Sequence, residues 1–330
     1  MNINEIARLA EVSRATVSRY LNQGYVSEEK KERIKKVIEE TGYNPSSQAQ
    51  MLRTKKTKLI GVIIPKLNSE SISRMVNGIG LVLSKEGYQL LLANTQNDVK
   101  EELKYLNTFK SNQVDGIIFI GTIFTKEHKR LLEETKVPVV ILGQWLSGYS
   151  CVYYDDYNAA KDLSNQLLQS AKKAVYLGVT KKDEAAGHNR TDGFLAAYRM
   201  IQSANGREIK KPMMLETDFT MEAAYHRTKE AFEQEADLDT VICATDTIAI
   251  GALQYLHEKN IKVPDQVQLA GIGDTAIGNV VSPKLTTVHY YYKTSGIEAA
   301  NMLLEMLQTG EYVRKEIKMG YKLLMRDSTR

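Results

Sequence analysis

The spacing of apolar residues divides the chain into two regions. In the first 45 residues apolar positions recur every three or four residues, as on one face of short helices, and no strand-like run occurs. From Leu59 onward, short runs rich in valine, isoleucine and leucine alternate with amphipathic stretches of helical length. A polar and basic segment separates the two patterns. We therefore predict a helical domain at 1–45, a linker at 46–58 and an α/β domain at 59–330.

The apolar runs of the α/β region predict strands that are covered on both faces, because they lack strict alternation. These strands are Leu59–Pro65, Tyr88–Ala93, Val114–Ile120, Pro138–Leu142, Ala174–Val179, Thr240–Ala244 and Val267–Ile272. The amphipathic stretches predict helices at Ser71–Glu86, Val99–Ser111, Lys126–Glu134, Asn158–Ser170, Asp192–Ser203, Met221–Glu235, Ile248–Glu258 and Ser295–Gln308. Such alternation is typical of right-handed βαβ units in doubly wound parallel sheets.

These units are too many for one sheet, so we predict two lobes that divide near Tyr149–Asp156. We assign about 59–153 and 275–289 to the first lobe, and about 154–274 and 290–330 to the second. In such folds a ligand binds at the carboxyl ends of the strands and, where there are two lobes, between them.

The first 45 residues predict a helix-turn-helix. Apolar residues place a first helix at 3–10, and Ser13 is suited to cap a second helix, Arg14–Leu21. A third helix, about Glu28–Thr41, follows Ser27 as its cap and is ended by Gly42. Two short helices joined by three residues form the unit whose second helix enters the major groove of DNA. On periodicity alone, a solvated helical hairpin remains the alternative.

The charge distribution favours DNA binding over that alternative. The net charge of the chain is +4, yet residues 1–58 carry +5 and the remainder carries −1. Positive charge concentrated in this way supplies the phosphate-neutralising part of DNA affinity. On the second helix, Arg14 and Arg19 are suited to paired bonds with guanine, and Ala15 to contact with a thymine methyl group.

Several classes of protein are excluded by the sequence. The residues after Met1 lack the pattern of a secretory signal, and no apolar run approaches the ~18 residues of a membrane helix. Two cysteines, Cys151 and Cys243, fit a reduced cytoplasmic protein. The histidines show no metal-ligand spacing, and neither a P-loop nor a G-x-S-x-G elbow is present. We therefore predict a cytoplasmic protein that is not an enzyme, has no metal or cofactor, and has no membrane partner.

Motifs spread over the whole chain carry a family resemblance. The N-terminal ones are E-I-A-R-L-A-x-V-S-x-x-T-V-S-R-x-L-N at 5–22, V-S at 26–27, G-Y-x-P at 42–45 and A-x-x-L at 49–52. Later ones are I-G-V-I-I-P at 60–65, Q-V-D-G-I-I at 113–118, R-x-x-G-F at 190–194, D-x-x-A-I-G-A-L at 246–253 and P-x-L-T-T-V at 283–288. On these residues the chain resembles the LacI/GalR family of bacterial repressors. Within that family it resembles the sucrose and β-fructoside repressors, on the strings S-R-Y-L-N at 18–22, G-Q at 143–144 and T-D-T-I-A at 245–249.

The resemblance implies a homodimer whose paired headpieces bind a near-palindromic operator, and a two-lobed domain similar to periplasmic sugar-binding proteins. It also implies that Ser46–Arg53 forms a hinge helix, from which Leu52 enters the minor groove and kinks the central base step. The DNA-binding residues that it implies are Ser13, Arg14, Ala15, Thr16, Ser18, Arg19, Asn22, Ser46, Ala49, Gln50 and Leu52. The chain departs from the family at Glu11, where glycine is usual. If Glu11 has a positive φ, it costs ~1 kcal/mol or more relative to glycine.

The resemblance further implies a small carbohydrate effector, sucrose or a related sugar acting as inducer. The implied contacts are Asn68, Ser71, Ile72, Gln144, Trp145, Asp155, Arg190, Asp246 and Asp274. Around Asn68 and Gln144 the sequence departs from the family pattern, and Gly273 replaces the first of two paired acids, so specificity does not transfer. Trp145 either stacks on a sugar ring or packs at the rim, and Tyr290–Tyr292 either line the cleft or pack in an interface. A corepressor or a sugar phosphate remains the alternative effector.

Overall fold

The computed structural model describes residues 1–22, 24–43, 56–111, 114–204 and 210–330. The chain forms two compact units, Met1–Lys58 and Leu59–Arg330. The predicted hinge contacts Ser46, Ala49, Gln50 and Leu52 lie outside the described residues. Among the described helices, none is long and apolar enough to cross a membrane.

The N-terminal unit contains three helices, α1 (Ile3–Leu9), α2 (Arg14–Leu21) and α3 (Glu28–Thr41). Asn2 and Glu5 form a capping box at the start of α1, and the hydroxyl of Ser13 accepts a bond from the Thr16 amide at 3.2 Å at the start of α2. Ser27 precedes α3 without a side-chain capping bond.

A small apolar core holds these helices together. Ile6, Val17 and Ile34 are fully buried at its centre, one from each helix. Gly42 has φ of 60° and ends α3 in the left-handed conformation, as the sequence predicts. Glu11 also has a positive φ, 52°, in the turn between α1 and α2.

The second unit alternates strands and helices. Its first half comprises β1 (Leu59–Ile64), α4 (Glu70–Lys85), β2 (Gln89–Asn94), α5 (Val99–Lys110), β3 (Gly116–Phe119), α6 (Lys126–Glu133), β4 (Val139–Leu142) and β5 (Ser150–Tyr154). Next come α7 (Asp156–Leu168), β6 (Ala174–Gly178), a π-helix (Glu184–Asn189), α8 (Arg190–Ala204), β7 (Met213–Glu216), α9 (Met221–Gln234), β8 (Thr240–Cys243) and α10 (Asp246–Glu258). The last elements are β9 (Gln268–Ala270), α11 (Ala276–Val280), β10 (Thr287–Tyr290), α12 (Tyr292–Thr309), β11 (Glu316–Met319) and β12 (Tyr321–Leu324).

The first lobe is built on a parallel sheet with strand order β11-β5-β4-β3-β1-β2. Helices α4 and α12 pack against each other on this sheet, and their backbones approach very closely where they cross. A Cβ on Gly78 would lie 2.1 Å from the Lys293 carbonyl oxygen, and one on Gly296 would lie 2.0 Å from that of Met75. Glycine at both crossing points therefore lets the two backbones touch.

The second lobe is built on a parallel sheet with order β7-β6-β8-β9, beside an antiparallel pair, β10 and β12. The pair belongs to this lobe because Gly271, which follows β9, donates its amide to the Thr286 carbonyl at 3.0 Å. The C-terminal segment also joins it, since the Ser328 hydroxyl donates to the Leu269 carbonyl at 2.6 Å.

The lobe boundaries predicted from the sequence need correction. We assigned 290–330 to the second lobe, yet α12 packs on the first sheet and β11 is its edge strand. We assigned 275–289 to the first lobe, yet β10 pairs within the second. In the described residues the chain crosses between the lobes after β5, after β10 and after β11. The predicted second and third crossings are wrong, because the apolar pattern of an element does not indicate which of the two sheets it joins.

Candidate DNA-binding surface and ligand site

Helix α2 presents the predicted DNA-binding residues on its outer face. Val17 is fully buried in the core of the unit, whereas Arg14, Ala15 and Arg19 are exposed. This division follows from helical periodicity, because one face of so short a helix packs on α1 and α3. The exposed face combines two guanidinium groups with one small apolar side chain.

The remaining residues predicted to contact DNA form hydrogen bonds at the two ends of α2. The hydroxyls of Ser13 and Thr16 are 2.9 Å apart at the N-terminus. At the C-terminus the Asn22 amide nitrogen donates to the Ser18 carbonyl. Tyr25, which the sequence analysis did not single out, follows this helix and is 90% exposed. Its only sequence signal was an aromatic residue in a polar loop.

In the second unit, Arg190 is the centre of a buried polar cluster. It stands where the π-helix passes into α8, and only 7% of it is exposed. Its Nε donates to Asp156 Oδ1 at 2.7 Å, and its Nη1 donates to the Ala244 carbonyl at 2.6 Å. Burial opposes the charge of the guanidinium, but the nearby carboxylate of Asp156 holds the pKa of Arg190 above its ordinary value.

Three tyrosines surround this pair where the chain crosses between the lobes. The ring centroids of Tyr154 lie 4.9 Å from those of Tyr290 and 5.2 Å from those of Tyr292. The Tyr290 hydroxyl donates to Asp156 Oδ1 at 3.0 Å, and the guanidinium of Arg190 lies 5.5 Å from the Tyr290 ring centre. Burial raises the pKa of all three hydroxyls. They are therefore neutral hydrogen-bonding groups at physiological pH.

Asp246 supplies a second buried carboxylate, at the first residue of α10. It is 1% exposed, and its Oδ2 accepts from the Thr275 amide at 2.7 Å while its Oδ1 accepts from the Thr287 hydroxyl at 2.5 Å. Burial raises its pKa. A Cβ on Gly273, which has φ of 144°, would lie 3.8 Å from this carboxylate and 3.9 Å from the Tyr292 hydroxyl. Glycine at 273 therefore leaves space beside both groups.

The other two predicted acids are engaged elsewhere. The carboxylate of Asp274 lies 2.8 Å from His289 Nδ1 and 2.6 Å from Arg326 Nη2. Asp155 pairs with Lys318 at 2.8 Å. Partial burial opposes ionisation of both acids, but the hydrogen bonds that each carboxylate accepts lower its pKa. Both carboxylates thus serve contacts within the protein, which is a structural role that the sequence did not indicate.

The residues of the first lobe that are predicted to contact the ligand differ in how far they are exposed. Gln144 is buried and donates to the Gly121 carbonyl, whereas Trp145 is 45% exposed. Asn68 is exposed in a turn, and the Ser71 hydroxyl lies 3.0 Å from that of Ser69. Ile72 is buried in the main core. Of these, Trp145 keeps the largest apolar surface available to a ligand.

Two hydrogen bonds connect the lobes beside Asp246. Arg74 Nη1 of α4 donates to the Asp274 carbonyl at 3.1 Å, and the Ala276 amide donates to Glu70 Oε2 at 2.8 Å. Thr275, which lies between these two residues, binds Asp246. In the segment 274–276, the first and last residues thus contact the first lobe, and the middle residue contacts the candidate ligand site.

Comparison with known proteins gives two family matches. The family model described as bacterial regulatory proteins of the lacI family matches residues 2–46. The one described as periplasmic binding proteins and sugar binding domain of LacI family matches residues 57–326.

Individual relatives match over nearly the whole length. The sucrose operon repressor of Staphylococcus xylosus is 32% identical over 93% of this chain and 94% of its own. The HTH-type transcriptional regulator RegA of Clostridium saccharobutylicum is 28% identical over 99% of both chains. The crystal structure of the lac repressor dimer bound to operator and the anti-inducer ONPF superposes with a TM-score of 0.87 at 20% identity, covering 100% of this chain and 99% of that one. At that identity the last match shows the fold alone.

Proposed function

The chain belongs to the LacI family of bacterial regulatory proteins, and on that premise we propose that it represses transcription as a homodimer until a neutral sugar binds between its lobes. It is a DNA-binding transcriptional repressor with a sugar-binding domain, and its relatives are transcriptional regulators and not enzymes. The identity of the sugar, the direction of its effect and the residues involved are our proposal.

The exposed face of α2 supports sequence-specific DNA binding. Arg14 and Arg19 present forked donors that match guanine O6 and N7, and Ala15 is small enough to approach a thymine methyl group. Two copies in a symmetric dimer would bind two half-sites of a near-palindromic operator. Leu52 and its neighbours from the hinge would add contacts in the minor groove.

The observation that carries the sugar proposal is the cluster around Arg190. Its guanidinium is already paired with Asp156, so the site offers hydrogen-bond donors without an unbalanced positive charge. Asp246 adds a carboxylate that is suited to accept from sugar hydroxyls, and the tyrosine rings offer apolar faces for a sugar ring. The 32% identity with a sucrose operon repressor favours sucrose or a related sugar.

The contacts around 274–276 support an allosteric mechanism. A ligand that binds Asp246 competes for or reorients the carboxylate that holds Thr275, and the adjacent residues hold Arg74 and Glu70 of the other lobe. Binding can therefore favour one lobe arrangement over another. The ligand shifts DNA affinity only by its differential affinity for the two arrangements.

The test is operator binding by the full-length protein in the presence of sugars. An operator would be selected by the protein from a library of palindromic duplexes, and affinity measured by fluorescence anisotropy with sucrose, fructose, glucose or trehalose. We expect one of these sugars to weaken operator binding by roughly 5- to 150-fold, the usual range of allosteric coupling. A sugar that tightens binding would indicate a corepressor, and a response confined to sugar phosphates would reassign the effector. No response to any of them would contradict the proposal.

A further inference from the structure

We infer that Asp156 sets the charge class of the ligand: by pairing with Arg190, it makes the site select neutral sugars over their phosphate esters. This inference rests on the proposed function, because it concerns the same site. The sequence motifs point instead to the neighbouring Asp155, whose carboxylate pairs with Lys318.

The geometry of the pair shows that Asp156 occupies the arginine. Both side chains are almost fully buried, with 3% of Asp156 and 7% of Arg190 exposed. The same carboxylate oxygen, Oδ1, accepts from Arg190 Nε at 2.7 Å and from the Tyr290 hydroxyl at 3.0 Å. An arginine in a buried site is otherwise the side chain best suited to hold a phosphate or carboxylate, through paired bonds. Here that capacity is already directed to a group of the protein.

The charges around the pair disfavour a second anion. Asp246 and Asp183 are also buried carboxylates, 1% and 6% exposed, and the carboxylate of Asp183 accepts from the Ala186 amide at 2.8 Å. The nearby cation Lys181 is more than half exposed and lies 3.5 Å from Asp192. A phosphate ester entering this site would therefore meet one compensated arginine and two further acids. Placing an uncompensated charge in such surroundings is costly, whereas a hydroxyl only needs hydrogen-bond partners.

The packing of α7 on α8 fixes the pair. Asp156 is the first residue of α7 and Arg190 the first of α8, and both helices belong to the second lobe. The helices cross so closely that a Cβ on Gly193 would lie 2.2 Å from the Tyr157 carbonyl oxygen. Because neither partner comes from the first lobe, a relative movement of the lobes need not break the pair. Asp156 thus acts on the ligand through Arg190, as a positioning residue.

The variant that tests this role is Asp156→Asn. Asparagine keeps an oxygen that accepts from Arg190 and Tyr290 but removes the negative charge, so the guanidinium becomes an uncompensated cation. The matched control is Asp162→Asn on the same helix. Asp162 also accepts a hydrogen bond from a tyrosine hydroxyl, that of Tyr321.

The experiment is calorimetric titration of the full-length proteins with sucrose, fructose, glucose and trehalose, with the 6-phosphate ester of each sugar, and with inorganic phosphate. We expect the unmodified protein to prefer the sugar that it binds, sucrose in our proposal, over the phosphate ester of that sugar by at least tenfold in Kd. In Asp156→Asn that ratio should move at least tenfold toward the ester, and inorganic phosphate should bind measurably. Asp162→Asn should keep the original ratio.

The outcomes separate this inference from the proposed function. If the unmodified protein binds the ester as tightly as the sugar itself, the role of Asp156 is overturned whatever the variant does. An unchanged ratio in a folded Asp156→Asn protein also overturns it. If the unmodified protein binds no neutral sugar, the proposed function fails. In that case, phosphate binding by Asp156→Asn alone would still support the role of Asp156, and its absence would overturn it.

Discussion

In the N-terminal unit the side chains proposed to bind bases, Arg14, Ala15 and Arg19, are exposed on one helix of eight residues. In the second unit the proposed ligand groups Arg190 and Asp246, and the positioning residue Asp156, are buried and come from three helices far apart in the sequence. DNA arrives with its own dense negative charge, so an exposed surface suffices to attract it. A neutral sugar offers only hydroxyl groups and the apolar faces of its ring. Its binding therefore requires a buried site whose polar side chains all have hydrogen-bond partners.

The comparison predicts that removing an arginine lowers folding stability in the second unit and lowers only DNA affinity in the N-terminal unit. Arg190→Ala should have the largest effect, because it leaves Asp156 as an unpaired buried charge. Breaking such a pair costs about 3–5 kcal/mol of folding stability, and the sugar response should disappear. Thermal unfolding and operator release by sugar measure the two effects.

The control for this prediction is the double variant Arg190→Ala with Asp156→Asn. It should recover part of the lost melting temperature, because no unpaired charge remains, but none of the sugar response. A normal response in Arg190→Ala would remove Arg190 from the ligand site.

The same contrast explains which parts of the molecule the sequence predicts. Helices α2 and α3 have the predicted bounds because caps such as Ser13 and terminators such as Gly42 are local signals. Strands β7 and β11 are missing from the prediction, because half of the residues in each are exposed and neither contains a run rich in valine, isoleucine and leucine. Their place in a sheet depends on neighbours that are distant in the sequence.

The sequence predicts the candidate ligand site less completely, for a related reason. Arg190 and Asp246 follow from the family motifs, and the structure places both beside the tyrosine cluster. The choice between Asp155 and Asp156 does not follow, because two adjacent residues of the same type differ only in direction at the start of α7. Three-dimensional packing directs the first toward Lys318 and the second toward Arg190.

Leu52→Ala should have the second largest effect, and it should be confined to DNA. Loss of the proposed minor-groove wedge removes the contacts that offset an unstacking cost of a few kcal/mol, so we expect a loss of operator affinity of roughly 10- to 100-fold. Fluorescence anisotropy with the selected operator measures it, and sugar binding by calorimetry should be unchanged. Operator affinity equal to that of the unmodified protein would exclude the wedge.

Arg14→Ala and Arg19→Ala should have smaller effects on DNA binding and almost none on stability. Each proposed paired contact with a base contributes about 1–3 kcal/mol of discrimination, so affinity for the selected operator should fall and discrimination among operator variants should relax. Both residues are exposed, so each substitution should change stability by no more than ~0.5 kcal/mol, which corresponds to about 2–4 °C in the melting temperature of a small domain. A large drop in melting temperature would mean that these arginines stabilise the fold, and the contrast with Arg190 would fail.

The smallest expected effect is a gain of stability in the N-terminal unit through Glu11→Gly. Glu11 has φ of 52°, a conformation that costs about 1 kcal/mol for a residue with a side chain and that glycine adopts freely. The side chain contributes little in return, because it is 83% exposed and its carboxylate lies 3.7 Å from Arg33. Thermal unfolding of the unit should therefore show a melting temperature a few degrees higher, and Glu11→Ala, which keeps a Cβ, should show no such gain. Equal melting temperatures of the two variants would mean that the turn is not strained. The N-terminal unit would then have no local loss of stability to set beside the buried charges of the candidate ligand site.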